Sequence, residues 1–177
     1  YKIKNLQGEY TAEVAGDIAN GPSTPHNVMS KVVALAYTRY QNGQLPIAFV
    51  SMDNCSHNGE KLCASVMDIA QAWAAKGLVE KDFVDYLSNP SKVSFPWSMI
   101  DKITPRPADS VKDALKQSGI AEIDPVQTKK HTYIAPFVNT EKPQYLVVED
   151  HFPNGRPALE AAGVMFTDRQ TVNRVKK

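Results

Sequence analysis

The run Asp53-Asn54-Cys55-Ser56-His57-Asn58-Gly59 is dense in reactive side chains. It follows an apolar stretch, Ile47-Ala48-Phe49-Val50-Ser51-Met52, and precedes a helical pattern, so it reads as a strand-to-helix loop. In open α/β sheets, ligands bind at the carboxyl ends of strands. The backbone N–H groups of a helix N-terminus also attract anions. Cys55 beside His57 has the makings of an activated thiolate nucleophile. Cys55, His57 and Cys63 together fall one ligand short of a structural zinc site. The plainer alternative is a loop whose Asp, Asn and Ser side chains only cap the next helix. Two further acidic positions follow apolar stretches: Asp101 after Trp97-Ser98-Met99-Ile100, and Glu149-Asp150 after Tyr145-Leu146-Val147-Val148. Each suits a site carboxylate and equally suits an ion-pair partner. Cys63 lies on the apolar side of its helical pattern and reads as a small core residue.

These residues need elements to position them. Thr24 and Pro25 predict a helix start, with Val28, Met29, Val32, Leu35, Ala36 and Tyr40 as its stripe and Gly43 as its stop. Residues 47–52 predict a strand buried on both faces, as in a parallel sheet. Leu62, Val66, Ile69, Ala70 and Trp73 predict a second helix ending at Gly77. Phe83, Tyr86 and Leu87 predict a third, ended by Asn89-Pro90. Residues 93–99 alternate at strand period, with Pro96 as an interruption. Asp109 is a candidate cap for a helix stopped at Gly119, and residues 126–137 and 145–148 read as strands joined by the polar stretch 139–143. A last helix is expected near Asp168. Tyr1-Lys2-Ile3-Lys4 reads as a strand. Strands alternating with helices predict an α/β fold with a mostly parallel sheet and flanking helices.

The chain has 177 residues and a formal net charge of +1. That size suits one domain, and the balanced charge gives no footprint for nucleic acid. The longest apolar run is far short of the ~20 residues a membrane span needs. Two cysteines make no disulfide framework, which fits the cytoplasm. The nine glycines form no G-x-G-x-x-G or G-x-x-x-x-G-K loop. A chain that starts in a strand pattern and stops in a helix pattern predicts a segment of a longer protein. An exposed sheet edge, or a homodimer that covers one, is then expected.

Three stretches carry a resemblance. The first is Ser51-Met52-Asp53-Asn54 with Asn58-Gly59. The second is Phe95-Pro96-Trp97-Ser98-Met99-Ile100-Asp101-Lys102-Ile103-Thr104-Pro105. The third is Val148-Glu149-Asp150-His151-Phe152-Pro153-Asn154-Gly155-Arg156-Pro157, followed by Gly163-Val164-Met165-Phe166-Thr167-Asp168. In this order they resemble the mannitol dehydrogenase family of long-chain polyol dehydrogenases, which includes mannitol 2-dehydrogenase, fructuronate reductase and tagaturonate reductase. The resemblance runs from Tyr1 to Lys177.

It implies the back half of a Rossmann-like NAD(P) domain over residues 1–165 and the opening of a helical C-terminal domain over 166–177. It implies NAD or NADP as cofactor, no metal, and a linear sugar alcohol or sugar acid as substrate. Asn54 would donate to the developing oxyanion of the substrate. Asp101 would contact substrate and cofactor, and Ile100 would be an apolar cofactor contact. The family's general acid–base lysine would lie at or beyond Lys177, and the isolated chain is expected to be inactive. Four departures stand out: Ile100 where Val is common, Lys102 for Arg, Ala135 for Glu, and a longer connection at 139–143. Two other function classes stay open: a cysteine-dependent hydrolase or transferase using Cys55 and His57, and a non-catalytic α/β ligand-binding module.

Overall fold

The computed structural model describes residues 1–101, 107–138 and 145–175. Lys102, the connection 139–143 and the terminal Lys176-Lys177 lie outside the described residues, as does the side chain of Asp101. The chain forms two compact units, Tyr1–Ile100 with Leu146–Lys177, and Asp101–Tyr145.

The first unit opens with helix α1 (Ala12–Asn20), capped by Thr11, whose hydroxyl accepts the Val14 N–H. Before it, the expected strand at residues 1–4 is only an isolated bridge between Lys4 and Tyr10. Helix α2 spans Val28–Gln41 and begins three residues later than Pro25. The cause is Asp17, a buried carboxylate on α1 that accepts the N–H groups of His26 and Asn27 at 2.8 Å each. Those bonds hold the chain extended there, and Asn27 becomes the cap by accepting the Met29 N–H at 2.9 Å.

Helix α3 (Asn58–Ala75) buries its expected stripe of Leu62, Val66, Ile69, Ala70 and Trp73. That stripe packs against α1, α2 and helix α4 (Lys81–Ser88). Phe83 and Trp73 are fully buried in this core, and each such side chain contributes on the order of 1.5–3 kcal/mol. The Trp73 indole N–H donates to the Asp17 carbonyl at 3.0 Å, so burial leaves no orphaned donor there.

Strand β1 (Ile47–Ala48) pairs in parallel with β2 (Val93–Ser94), in the register Ile47–Val93 and Ala48–Ser94. The Phe49 N–H adds one more bond, to the Ser94 carbonyl. The strand expected over 47–52 is therefore cut to its first residues. Its partner cannot continue, because Pro96 offers no N–H to the ladder. Past Pro96 the chain enters a different sheet as β3 (Ser98–Asp101).

In the second unit, helix α5 (Asp109–Gln117) has Ala108 at its cap and Asp109 in its first turn, a shift of one residue. The strand expected over 126–137 is instead a hairpin. Strands β4 (Val126–Gln127) and β5 (Tyr133–Ile134) pair antiparallel, with His131 at positive φ in the turn.

The chain then returns to the first unit as β6 (Tyr145–Glu149), a short 3₁₀ turn at Glu160–Ala162, β7 (Met165–Thr167) and helix α6 (Arg169–Val175). The sheet order is β3-β6-β7, with β6 and β7 parallel. Among the described residues, no helix is long and apolar enough to cross a membrane.

Candidate active site

Loop 53–57 leaves the carboxyl end of β1 and is pinned by the residue that follows it. Asn58 is 1% exposed. Its amide NH₂ lies 2.9 Å from the carbonyls of Asp53 and Ser98 and from the Ser98 hydroxyl. Its carbonyl accepts the N–H groups of Gly59 and Ser98 at 2.9 and 3.1 Å. The Asn58 side chain thus has no spare capacity, and it staples the loop to the start of β3. Gly59 allows this closeness. A Cβ there would stand 2.4 Å from the Phe95 carbonyl oxygen and 2.7 Å from the Trp97 ring, well inside contact distance.

Asn54 differs in kind. It is exposed, and its carboxamide makes no hydrogen bond among the described residues. His57, the N-cap residue of α3, makes no side-chain capping hydrogen bond. His57 sits in the left-handed region at φ 56° and ψ 40°, and its imidazole stacks on the Trp97 indole with ring centres 4.6 Å apart. Its Nδ1 is 3.5 Å from Glu60.

The two carboxylates after β6 are ion-pair partners. Glu149 is buried. One of its oxygens accepts the Trp97 N–H at 3.0 Å, and the other accepts Nε of Arg169 at 3.0 Å. The Arg169 guanidinium also lies over the Trp97 ring at 5.3 Å. Asp150 pairs with Arg156 at 2.9 Å, and Arg156 holds Glu160 at 3.0 Å and covers the Phe166 ring at 5.2 Å. Ile100 is half-buried, and Asp101 is the last residue of β3.

A cavity of about 470 Å³ opens beside α3, lined by Cys63, Met67, Phe95, Trp97, His151 and Arg169 among others. Cys63 is thus a half-buried wall residue rather than a packed core residue. Burial pushes its thiol up, against a weaker downward pull from Arg169, so it stays protonated near neutral pH. Among the described residues, no three His, Cys, Asp or Glu side chains are grouped so as to hold a metal ion. Cys55, His57 and Cys63 therefore do not converge on one.

The sequence singled out Asn54 and the Asn58-Gly59 pair but gave no role to Trp97, Arg156 or Arg169, which the fold uses as a stacking platform and as ion-pair partners. Aromatic and cationic residues inside the second and third motifs were the available signal. Beyond the β1 terminus the loop thus offers one unspent carboxamide, Asn54, beside the pinned Asn58. No glycine-rich loop for a pyrophosphate occurs in the sequence.

Comparison with known proteins gives the family and the fold. Residues 11–161 match the model of the mannitol dehydrogenase Rossmann domain. A D-mannonate oxidoreductase from Thermotoga maritima is 51% identical over 179 residues, covering 100% of this chain and 33% of that protein. A mannitol 2-dehydrogenase from Cereibacter sphaeroides is 31% identical over 88% of this chain and 28% of its own length. The mannitol 2-dehydrogenase of Pseudomonas fluorescens, solved as a ternary complex with NAD and D-mannitol, superposes with a TM-score of 0.61 at 30% identity. That match covers 93% of this chain and 30% of the solved one. The chain spans about a third of the length of the curated relatives it matches. It has an α/β Rossmann fold and belongs to the mannitol dehydrogenase family.

Proposed function

We propose that the protein containing this chain is an NAD(P)-dependent oxidoreductase of linear sugar alcohols or sugar acids, with D-mannonate and its ketone fructuronate as the first pair to test. The observation that carries this reading is the exposed, unpartnered Asn54 carboxamide on a loop that Asn58 otherwise fixes. The 51% identity to a D-mannonate oxidoreductase supports the choice of substrate pair. The nicotinamide, when bound, supplies the hydride acceptor for oxidation and the donor for reduction. The chain's own residues orient the substrate. Nδ2 of Asn54 donates to the substrate oxygen as it gains alkoxide character, stabilising charge that is greatest in the transition state. Ile100 forms an apolar cofactor contact, and Asp101 binds substrate and cofactor. The alcohol proton leaves to a general base, the lysine that the resemblance places at or beyond Lys177.

In this reading residues 1–165 complete a cofactor domain and 166–177 open a helical one. No other strand flanks β1 among the described residues, and a two-stranded parallel sheet is seldom stable alone. Its free edge is covered by the rest of the protein or by a second copy. We infer a cytoplasmic setting, which the two unbridged cysteines and the use of a nicotinamide cofactor support.

The test is NADH or NADPH oxidation by the full-length protein with fructuronate, tagaturonate and fructose supplied separately. Turnover is expected with fructuronate above the other two. Cys55→Ala should keep about the wild-type kcat, since hydride transfer needs no thiolate. Loss of all turnover in Cys55→Ala, with the protein still folded by circular dichroism, would favour the thiol hydrolase. Tight NADH binding with no turnover of any sugar would favour the ligand-binding module.

A further inference from the structure

We propose that His57 is a positioning residue for the oxyanion donor: its ring, stacked on Trp97, fixes the far end of the Asn54 loop and so aims the Asn54 carboxamide. This rests on the oxidoreductase reading above. The loop is held at both ends by different means. At its start, the Asn58 amide grips the carbonyl of Asp53. At its end, His57 enters α3 in a left-handed conformation that L-residues rarely adopt. The ring contact with Trp97 at 4.6 Å and 26° accompanies that conformation.

Trp97 is itself held on several sides. Its N–H donates to Glu149, its carbonyl accepts the Glu149 N–H at 2.8 Å, and Arg169 covers its ring. Gly59 brings the first turn of α3 against the same segment, with no room for a side chain between them. The platform under His57 is therefore Trp97, just ahead of β3, held by residues of β6 and α6 at once. Asn54 lies three residues before His57, with no hydrogen bond of its own to orient it. Its direction depends on the two anchors.

The imidazole is about half exposed, and nothing deep in the core rests on it. Its removal should disturb the loop and not the fold. A misplacement of about 1 Å in a catalytic group can cost 10²-fold in rate, and loss of one of two anchors should cost less.

The experiment uses the full-length enzyme with fructuronate and NADH. His57→Ala should lower kcat by about tenfold and leave the KM for NADH within about twofold, because the stack acts on the carbonyl end of the site. His57→Phe keeps the same Cβ strain and the stacked ring but removes both nitrogens. It should retain most of the wild-type kcat. In the Asn54→Ala background, His57→Ala should add little further loss, because both act through one group. An acid–base role for His57 would instead make Phe as poor as Ala. A general structural role would multiply the losses of the two substitutions. Either result overturns the proposal, as does a His57→Ala enzyme with the wild-type kcat. A wild-type enzyme inactive with every sugar fails the oxidoreductase reading and this inference together. An active wild type with the wrong variant pattern fails the inference alone.

Discussion

Two segments of the first unit follow parallel strands, and they treat their polar residues in opposite ways. After β1, loop 53–57 spends the capacity of Asn58 entirely inside the fold and leaves Asn54 with none of its capacity used. After β6, every acid has a cation or a donor: Glu149 with Arg169 and the Trp97 N–H, Asp150 and Glu160 with Arg156, and Asp168 with Thr171. Both segments carry the acids and amides that mark a site in the sequence. Both also leave an exposed carboxamide without a hydrogen bond among the described residues, Asn54 in the first and Asn154 in the second. Neither richness in titratable residues nor an unspent donor separates site from scaffold here; what sets Asn54 apart is its place on a pinned loop beyond a strand's carboxyl end. The second segment serves the first, because its Glu149 and Arg169 hold the Trp97 platform that His57 stands on.

The contrast is broken or confirmed most sharply at Asn54. Asn54→Ala in the full-length enzyme should lower kcat by about 10²–10³, the usual cost of removing one oxyanion donor. Its melting temperature should not move, because an exposed side chain without partners contributes little to stability. A variant that keeps its kcat would remove Asn54 from the chemistry and leave the loop without a function.

Glu149→Ala should show the reverse pattern, with stability as the main loss. The buried Trp97 N–H would lose its acceptor and Arg169 its partner, at a cost of about 1–3 kcal/mol in urea unfolding. Glu149→Gln keeps an acceptor for the N–H and should recover part of it. If Glu149→Gln instead stayed fully stable but lost turnover, the carboxylate would be acting on substrate, and the division between the two segments would be wrong.

The sequence was legible where one physical cause dominated. The α3 stripe from Leu62 to Trp73 has a clean helical period and nothing competes with it. Pro96 broke residues 93–99 where a missing N–H must break a ladder. Helix α1 gave no comparable signal because a buried aspartate, Asp17, sits on its inner face between Val14 and Ile18. The same Asp17 moved the start of α2, and no local rule about Thr24 or Pro25 can register a carboxylate on the preceding helix that holds His26 nine residues on. The hairpin over 126–134 turns through Thr128-Lys129-Lys130-His131, closed by the His131 N–H on the Thr128 carbonyl. With no glycine there, the turn read as continuous strand. In the site, Asn54 was visible through its motif. The Trp97 platform was not, since its parts come from residues 57, 97, 149 and 169, and only the fold brings them together.

A smaller effect tests the scaffold by pH. The Thr171 N–H and then its hydroxyl bond the Asp168 carboxylate and hold it below the usual carboxylate range. A carboxyl depressed in the folded state stabilises it above the unfolded pKa of about 3.9 and loses that contribution as pH falls through the folded value. Amide exchange at Thr171 and Val172 should therefore speed up, relative to the α3 core, as the pH drops below about 4. Asp168→Ala should show the faster exchange already at neutral pH and respond less to acid. Equal protection in both proteins across that range would mean that Asp168 does not hold the start of α6.

The smallest effect is expected at Asp150, one of the acids that follow an apolar stretch in the sequence. It is exposed and pairs with Arg156 at 2.9 Å, where a surface ion pair contributes about 0–1 kcal/mol. Arg156 keeps two other contacts when Asp150 is gone, Glu160 at 3.0 Å and the face of Phe166 at 5.2 Å. Asp150→Ala should consequently leave both urea midpoint and kcat close to wild type, while Arg156→Ala, which releases all three contacts, should destabilise more than Asp150→Ala. The order of those two variants follows from Arg156 being the hub and Asp150 only one spoke. If Asp150→Ala cost more stability than Arg156→Ala, that hub would be misassigned. If it abolished turnover in a folded enzyme, the segment after β6 would carry chemistry as well, and the two regions would not divide into site and scaffold.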